Sequence, residues 1–350
     1  MAQLRVLVVD DSLLFRSVLI ECINSSAQAR VVAFASNGKE ALDKVVQYNP
    51  DVITLDIEMP VMNGLQALAR LRKEFPLIPV IMISSSTQES ARQTIEALES
   101  GALGFIAKTE SNDSENNKQL LKNQISDMIQ QVLAKRSPIV VTPVPIFAIP
   151  LKVLPKSTPQ IVAIGVSTGG PQALNAIIPR LPGNLNVPVV IVQHMPSIFT
   201  ASLAESLSQK SNVNVVEAKH GMELTSATVY IAPGGKQMRV NSKTGSLSKF
   251  IEITDDPPEN FCKPAADYLF RSIAEVYKSQ ALAVILTGMG KDGTQGLKML
   301  KMYGVKVIGQ DAATCTVYGM PREAKLAGVV DIELPVDSIA NEIISSITSR

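Results

Sequence analysis

Cysteine and histidine are both rare in this chain of 350 residues, which has three cysteines and two histidines. The cysteines, Cys22, Cys262 and Cys315, are widely separated and odd in number, so their spacing indicates neither a disulfide framework nor a zinc site. We expect them to be buried free thiols in a reducing compartment. The scarcity of histidine also leaves few candidates for a catalytic base.

The chain also lacks an excess of charge and a long apolar run. Its formal net charge is +1, which argues against the broad basic surface that nucleic-acid binding usually needs. No run approaches the roughly 18 apolar residues of a membrane span, and the N-terminus has no signal-peptide pattern. We therefore predict a cytoplasmic protein that binds no nucleic acid and does not insert into membranes.

Apolar runs and prolines divide the chain into segments. Short apolar runs alternate with segments of helical periodicity near the N-terminus and again from about residue 160, which is typical of parallel strands joined by helices. Prolines at 138, 143, 145, 150, 155 and 159 predict an extended linker between the two regions. We therefore predict a first domain over 1–130, a proline-rich linker over 131–159 and a second α/β domain over 160–350.

Polar side chains stand where the predicted strands of the first domain end, namely Asp10, Asp11, Asp56, Ser84 and Lys108. The carboxyl ends of the strands in a doubly wound sheet share one edge, where ligands bind. Three carboxylates suit a small hard cation, whereas a hydroxyl and an ammonium group suit a phosphoryl group. The cluster predicts phosphoryl transfer onto a carboxylate, with helix capping or solvation of the single residues as the alternative.

Four motifs resemble the receiver domain of two-component response regulators over about residues 3 to 130: "VLVVDDS", "DVITLDIEMPVMNG", "VIMISS" and "GALGFIAK". The resemblance implies a flavodoxin-like (βα)5 fold. It also implies that Asp56 accepts the phosphoryl group and that Asp10 and Asp11, with Asp56, hold Mg²⁺.

The same resemblance assigns the sensing residues of the receiver. Ser84 and Lys108 match the hydroxyl and the lysine that contact the phosphoryl group, and Phe105 matches the switch aromatic residue. Thr109 stands where the family has a proline in a cis peptide bond, so the loop there is expected to be less rigid.

A glycine-rich loop, "GVSTGGP" at 165–171, lies between an apolar run and a segment of helical pattern. Such a loop can hold a phosphate or present a serine nucleophile. It lacks the lysine of a Walker-type loop and the glycine spacing of a dinucleotide site. The remaining Gly-x-Ser-x-Gly pattern resembles a nucleophile elbow that exposes Ser167, unless Ser167 and Thr168 only cap the next helix.

A serine nucleophile requires a base and an acid that orients the base. His194 follows the apolar run "VPVVIV" and would share a sheet edge with Ser167, which favours it over His220. Asp292 in "LAVILTGMGKDG" is the preferred acid. Its competitors are Asp255, Asp256 and Asp311. The order Ser, His, Asp differs from the Ser, Asp, His order of α/β-hydrolases.

The second domain closely resembles the catalytic domain of chemotaxis protein-glutamate methylesterases over about residues 160 to 348. The motifs that carry the resemblance are "AIGVSTGGPQAL", "IVQHMPSIFTASLAESL", "VYIAPGG", "ILTGMGKDGTQGL" and "YGMPREA". The resemblance implies a doubly wound, mostly parallel α/β domain that needs no cofactor. It implies Ser167 as nucleophile, His194 as base and Asp292 as orienting acid. Thr168 would support the histidine, and the Met289 amide would serve the oxyanion.

The resemblance also implies substrates, partners and control. The substrates would be γ-glutamyl methyl esters, and often glutamines, on methyl-accepting chemotaxis receptors, and a chemotaxis histidine kinase would be the phosphodonor. We expect the unphosphorylated receiver to block the groove that contains Ser167. The family pattern is broken at Gln237, Lys263, Ala265 and Ala312, which affects the expected substrate groove but not the triad. A receiver joined to a non-catalytic anion-binding module is the alternative.

Overall fold

The computed structural model describes residues 3–85, 87–108, 114–136, 157–242 and 248–348. The chain forms two compact units that divide after residue 137. Residues 137–156 of the predicted linker lie outside the described residues, and the last helix of the first unit continues to Arg136. The domain bounds therefore stay a prediction.

The first unit contains a parallel five-stranded sheet with strand order β2-β1-β3-β4-β5. Its strands are β1 (Leu4–Val9), β2 (Ala29–Ala35), β3 (Val52–Asp56), β4 (Val80–Ser84) and β5 (Gly104–Ala107). Its helices are α1 (Leu13–Asn24), α2 (Gly38–Tyr48), α3 (Gly64–Glu74), α4 (Gln88–Glu99) and α5 (Ser114–Arg136). This order confirms the predicted flavodoxin-like fold.

Side-chain caps fix where four helices of this unit begin. The capping residues precede α1, α2, α3 and α4, and each side chain accepts a hydrogen bond from the backbone amide three residues further on. They are Ser12, Asn37, Asn63 and Thr87. Such caps satisfy amide groups that have no partner inside the helix. The strands β3 and β4 are buried along their whole length, so helices cover both faces of the sheet and the loops at its edge carry the polar residues.

The second unit contains a seven-stranded sheet with strand order β14-β13-β12-β6-β7-β9-β8, and all of its strand pairs are parallel. Its strands are β6 (Ile161–Val166), β7 (Val189–Gln193), β8 (Asn214–Glu217), β9 (Thr228–Ile231), β12 (Ala281–Ile285), β13 (Lys306–Gln310) and β14 (Ile332–Leu334). An antiparallel pair, β10 (Gln237–Ser242) and β11 (Lys249–Thr254), lies outside this sheet. The predicted doubly wound, mostly parallel α/β domain is thereby confirmed.

Helices connect the strands of the second unit. They are α6 (Gly170–Ile177), α7 (Ser197–Lys210), α8 (Ala266–Tyr277), α9 (Thr294–Met302), α10 (Met320–Leu326) and α11 (Val336–Thr348). The apolar face of α8 includes Leu269, Phe270 and Ile273, which are fully buried in one core with residues of the sheet and of β10. Burying a side chain such as Phe270 contributes roughly 2–3 kcal/mol. This packing holds the start of α8 in place against the sheet.

Five strands of the second unit coincide with apolar runs of the sequence, namely β6, β7, β9, β12 and β13, and the structure adds four more among the described residues. Strands β8 and β14 are only 4 and 3 residues long, so they carry little periodic signal. Strands β10 and β11 are half-exposed and include an Arg239–Glu252 ion pair.

No helix in the described ranges is both long and apolar enough to cross a membrane.

Candidate functional site

The loops that follow β12, β6 and β7 lie side by side at one edge of the second sheet. These strands are neighbours in the order β12-β6-β7, and Val166, the last residue of β6, is opposite Gln193, the last residue of β7. Ser167, His194 and Asp292 belong to the three loops. The chain leaves β6 toward β7 on one side and later returns to β12 on the other, which makes this edge the topological switch point where ligands bind in such folds.

The backbone of Ser167 is held by hydrogen bonds on both its amide and its carbonyl group, and the residue is half-buried. The Ser167 amide donates to Thr287 O at 3.0 Å, and Gln193 Nε2 donates to Ser167 O at 3.0 Å. Helix α6 begins at Gly170, its capping residue is Gly169 with φ +79°, and no side chain caps it. The alternative in which Ser167 and Thr168 merely cap this helix is therefore wrong. The Ser167 hydroxyl is left for another role.

His194 and Asp292 form the central contact of the site. Nε2 of His194 lies 2.8 Å from Oδ2 of Asp292, and the two side chains are 13% and 2% exposed. Asp292 also accepts hydrogen bonds from the Ala266 amide at 2.6 Å, the Asp267 amide at 3.1 Å and Asn260 Nδ2 at 2.9 Å. The first two donors are the N-terminal amides of α8, where the helix dipole favours an anion.

These donors decide the charge of Asp292. Burial alone would raise the pKa of Asp292, but the hydrogen bond with His194, its charge and the two α8 amides outweigh it and lower that pKa. Asp292 is therefore an anion that can hold the imidazole ring in one orientation and stabilise its protonated form. Asn260 and the α8 amides were missed from the sequence because they belong to a turn and a helix end distant in sequence from Asp292.

The other ring nitrogen of His194 faces a cysteine. Cys262 Sγ lies 3.4 Å from Nδ1 of His194. Burial alone would lower the pKa of His194, but Asp292 and Cys262 outweigh it and raise that pKa to about 9. Within the described residues no hydrogen bond joins the Ser167 hydroxyl to His194. The Ser167–His194 pairing therefore stays a prediction.

The other sequence candidates for base and acid lie away from this contact. His220 is exposed, and its Nδ1 lies 3.2 Å from Ile253 O. Asp255 pairs with Lys236 and Lys263. The remaining acids bond to other neighbours, namely Asp256 to Thr254 and Tyr268, and Asp311 to Thr314. Asp292 is thus the acid that contacts a histidine among the described residues.

Gly288 brings the loop after β12 against Ser167. A Cβ atom built on Gly288 would lie 2.7 Å from Ser167 Cβ and 3.2 Å from Ser167 N. Met289 follows, with a side chain that is 41% exposed. The Thr168 carbonyl accepts a hydrogen bond from Thr287 Oγ1 at 2.9 Å. The roles predicted for the Met289 amide and for Thr168 stay predictions.

Two departures from the family pattern contact each other. Gln237 is fully buried, its Oε1 accepts a hydrogen bond from the Ala265 amide at 2.9 Å, and its Nε2 donates to Pro257 O at 3.0 Å. Lys263 donates to Asp255 O at 3.0 Å. Gln237 therefore supports the backbone immediately before α8, whose amides hold Asp292.

The cysteines differ from the expectation in their exposure. All three are free, and Cys22 is buried, but Cys262 and Cys315 are half-exposed. The expectation of buried thiols is therefore wrong for two of them. Sequence spacing could not have revealed this, because Cys262 reaches His194 only through the fold.

The first unit brings four of its predicted polar residues together at the carboxyl edge of its sheet, namely Asp10, Asp11, Asp56 and Lys108. Lys108 Nζ donates to Asp56 Oδ2 at 2.6 Å and lies 3.2 Å from Asp10 Oδ2. Both carboxylates are buried, and burial, opposed by Lys108, raises the pKa of Asp56 to about 6 and also raises that of Asp10. The site therefore holds negative charge that is poorly solvated and only partly balanced by one lysine.

The two other predicted sensing residues, Ser84 and Phe105, lie on the neighbouring strands β4 and β5. Ser84 Oγ is 2.9 Å from Ser90 Oγ and accepts a hydrogen bond from Thr94 Oγ1 at 2.7 Å, so α4 holds this hydroxyl. Phe105 is half-buried on β5, opposite Met82 of β4. Thr109 lies outside the described residues.

Two groups of side chains have atoms close enough to hold a metal ion, but only the group in the first unit suits one. Asp10, Asp11 and Asp56 each offer an oxygen atom, all within 4.8 Å of one another, and the buried Asp10 Oδ2 has the Lys108 ammonium group 3.2 Å away as its ion-pair partner. Oxygen ligands at this spacing suit Mg²⁺. His194, Cys262 and Asp292 also lie within 4.8 Å, but Cys262 and Asp292 contact opposite nitrogens of the ring, which does not suit a shared ion.

Comparisons with known proteins match this description. The family models "CheB methylesterase" and "Response regulator receiver domain" match residues 162–343 and 6–121. The protein-glutamate methylesterase/protein-glutamine glutaminase of Desulfotalea psychrophila is 43% identical, with 99% of each chain covered, and that of Bacillus subtilis is 43% identical, with 98% covered. The crystal structure of the Thermotoga maritima CheB methylesterase catalytic domain is 44% identical with a TM-score of 0.52, covering 54% of this chain and 99% of that one.

The chain belongs to the CheB methylesterase family and carries a response regulator receiver domain in its N-terminal part. The two family resemblances found in the sequence motifs are confirmed.

Proposed function

Because the chain belongs to this family, we propose that it is a protein-glutamate methylesterase and protein-glutamine glutaminase under the control of its receiver. It hydrolyses γ-glutamyl methyl esters, and deamidates glutamines, on methyl-accepting chemotaxis receptors. The observation that carries this proposal is the buried 2.8 Å contact between His194 and Asp292 beside the Ser167 loop. An anion-binding module has no need of a histidine held by a carboxylate, which disfavours the non-catalytic alternative.

The first half of the reaction forms an acyl-enzyme. Asp292 accepts the hydrogen on Nε2 of His194, so Nδ1 is the basic nitrogen of the ring. Ser167 Oγ attacks the ester carbonyl carbon while its proton passes to Nδ1, and the carbon–oxygen bond to the methoxy group then breaks. The same proton leaves with methanol. A glutamine substrate releases ammonia instead.

The second half restores the enzyme. A water molecule gives one proton to His194 and attacks the acyl carbon, and the bond to Ser167 Oγ breaks as that oxygen regains the proton. The product is a free glutamate side chain. Negative charge develops on the carbonyl oxygen in both halves, and the Met289 amide is the proposed donor to it. The close approach of Gly288 to Ser167 supports this assignment, because it brings the adjoining amide near the nucleophile.

The receiver supplies the control. A chemotaxis histidine kinase is the proposed phosphodonor, and Asp56 is the proposed acceptor. Asp10, Asp11 and Asp56 would hold Mg²⁺, which neutralises charge on the phosphoryl group during transfer. Lys108 Nζ, which donates a hydrogen bond to Asp56 Oδ2 at 2.6 Å, would then contact the phosphoryl oxygens instead. Ser84 and Phe105 would change position in response to the phosphoryl group. A cytoplasmic location stays a prediction.

The test measures methanol release from receptor membranes that carry methyl-esterified glutamates. Ser167→Ala and His194→Ala should each lower the rate by several orders of magnitude, as is common when a triad member is removed. His220→Ala is the matched control, because His220 is exposed and bonds elsewhere. If His194→Ala were fully active and His220→Ala inactive, the base would be His220.

A further inference from the structure

Cys262 is presented to the active site by a tight turn. Glu259 and Cys262 exchange both backbone hydrogen bonds, at 3.0 and 2.7 Å, and the two residues between them have φ values of +50° and +63°. Positive φ at both central positions is the geometry of a type I′ turn. Asn260, the first of them, anchors the turn by donating to Asp267 Oδ2 and Asp292 Oδ1, each at 2.9 Å.

The turn places the sulfur against the catalytic imidazole. Cys262 Sγ is 3.4 Å from His194 Nδ1, and Nε2 of the same ring is 2.8 Å from Asp292 Oδ2. A thiol, an imidazole and a carboxylate in this order form the arrangement that activates cysteine nucleophiles in enzymes. The mechanism proposed above uses His194 and Asp292 but gives Cys262 no role.

Among the described residues the two other cysteines contact no histidine, and they serve as internal references. Cys22 is buried in α1, and burial raises the pKa of its thiol. Burial also raises the pKa of Cys315, whose Sγ lies 3.8 Å from Gln310 O. Cys262 is half-exposed and touches an imidazole. Thiols respond to electrophiles according to their access and the ease with which they lose the proton.

We propose that Cys262 is a reversible modification site at which a low-molecular-weight disulfide blocks the active site. The Cys262 sulfur attacks one sulfur of the disulfide R–S–S–R, a new S–S bond to Cys262 forms, and the old S–S bond breaks. The departing R–S⁻ takes up the proton that His194 received from Cys262. The balance is thiol plus disulfide giving mixed disulfide plus thiol, and excess free thiol reverses it.

The block follows from where the R group is attached. The sulfur lies on the Nδ1 edge of His194, and this nitrogen must accept the proton of Ser167 during catalysis. A group attached to Cys262 would cover that edge and separate the hydroxyl from its base. The inhibitory consequence rests on the proposed esterase function, whereas the reactivity of the thiol does not.

The first arm of the test measures modification alone. The full chain is treated with 2-hydroxyethyl disulfide, a small uncharged probe, and the mixed disulfide on each cysteine is quantified by peptide mass spectrometry over time. We expect Cys262 to react about tenfold or more faster than Cys22 and Cys315, and His194→Gln to slow it by a similar factor. The Cys315 rate should not change in that variant, which checks that it is folded. Equal rates for Cys262 and Cys315, or an unchanged Cys262 rate in His194→Gln, would overturn the proposal.

The second arm measures the block. Methanol release by the modified parent is divided by that of the untreated parent, and Cys262→Ser is measured in the same way against its own untreated rate. We expect a loss of about tenfold or more in the parent, recovery with a reducing thiol, and no loss in Cys262→Ser. Full activity of the modified parent would overturn the block. An untreated parent without methylesterase activity would count against the proposed function, and the labelling rates would still decide whether Cys262 is the reactive thiol.

Discussion

Replacing Asp56 by asparagine should stabilise the receiver at neutral pH. The Asp56 side chain is 4% exposed, and burial, with the nearby charge of Asp10, raises its pKa from 3.8 to about 6 despite Lys108. A carboxyl group whose pKa is raised by folding binds a proton more tightly in the folded chain. The free energy of unfolding therefore falls as pH rises from about 4 to about 6, and the loss persists at higher pH.

The size of this effect follows from the same pKa. A rise from 3.8 to about 6 corresponds, at about 1.4 kcal/mol for each pH unit, to about 3 kcal/mol. Asparagine keeps an oxygen acceptor for the Ile57 amide, which lies 2.9 Å from Asp56 Oδ1, whereas its amide nitrogen takes the place of Oδ2 beside Lys108. Asp56→Asn should therefore be more stable than the parent by up to about 3 kcal/mol at pH 7.5, and the difference should approach zero near pH 4.

Hydrogen exchange of the β1 and β3 amides in the full chain, without divalent cations, reports the stability of this unit. Asp43→Asn is the matched control, since Asp43 is an exposed residue of α2, and a surface change of this kind should shift stability by less than about 0.5 kcal/mol. An Asp56→Asn variant no more stable than the parent at pH 7.5, or equally stabilised at both pH values, would refute the reasoning.

Three further changes test the catalytic unit and its control. Asp292→Asn should lower kcat/KM for methanol release by about 10³–10⁴-fold, since a neutral amide no longer stabilises the imidazolium, and a loss under tenfold would contradict the orienting role. Gly288→Ala should lower kcat by about tenfold or more and destabilise the unit by about 1–3 kcal/mol, because the new methyl group would lie 2.7 Å from Ser167 Cβ. Unchanged activity and an unchanged melting temperature would contradict this, since they would show that the loop can move away from the methyl group. A small phosphodonor should raise methanol release by the parent but not by Asp56→Asn, and tenfold activation needs only about 1.4 kcal/mol; an equal response of both proteins would exclude Asp56 as the acceptor.

Sequence patterns predicted the parts of the fold that are made of buried runs. Strands such as β3 and β6 are buried along their whole length and read as continuous apolar segments. The pair β10 and β11 carries the Arg239–Glu252 ion pair on a half-exposed surface, and β14 has only 3 residues, so neither gave a clear signal.

The candidate site likewise contains residues that the sequence predicted and residues that it did not. Ser167, His194 and Asp292 follow apolar strands, so the rule that ligands bind at the carboxyl ends of parallel strands could bring them together. Asn260 and Cys262 lie on a turn whose position depends on α8 packing against the sheet, and no spacing in the sequence encodes that packing. The same holds for the α8 amides that bind Asp292, because backbone donors leave no residue signature.

Labelling with a serine-directed fluorophosphonate tests most directly the claim that Ser167 is a nucleophile activated by His194. The site and rate of the adduct are measured by peptide mass spectrometry in the parent, in His194→Gln and in the control His220→Gln. We predict one adduct, on Ser167, at equal rates in the parent and His220→Gln and about 100-fold or more slower in His194→Gln. An adduct on another residue, or an unchanged rate in His194→Gln, would contradict the account.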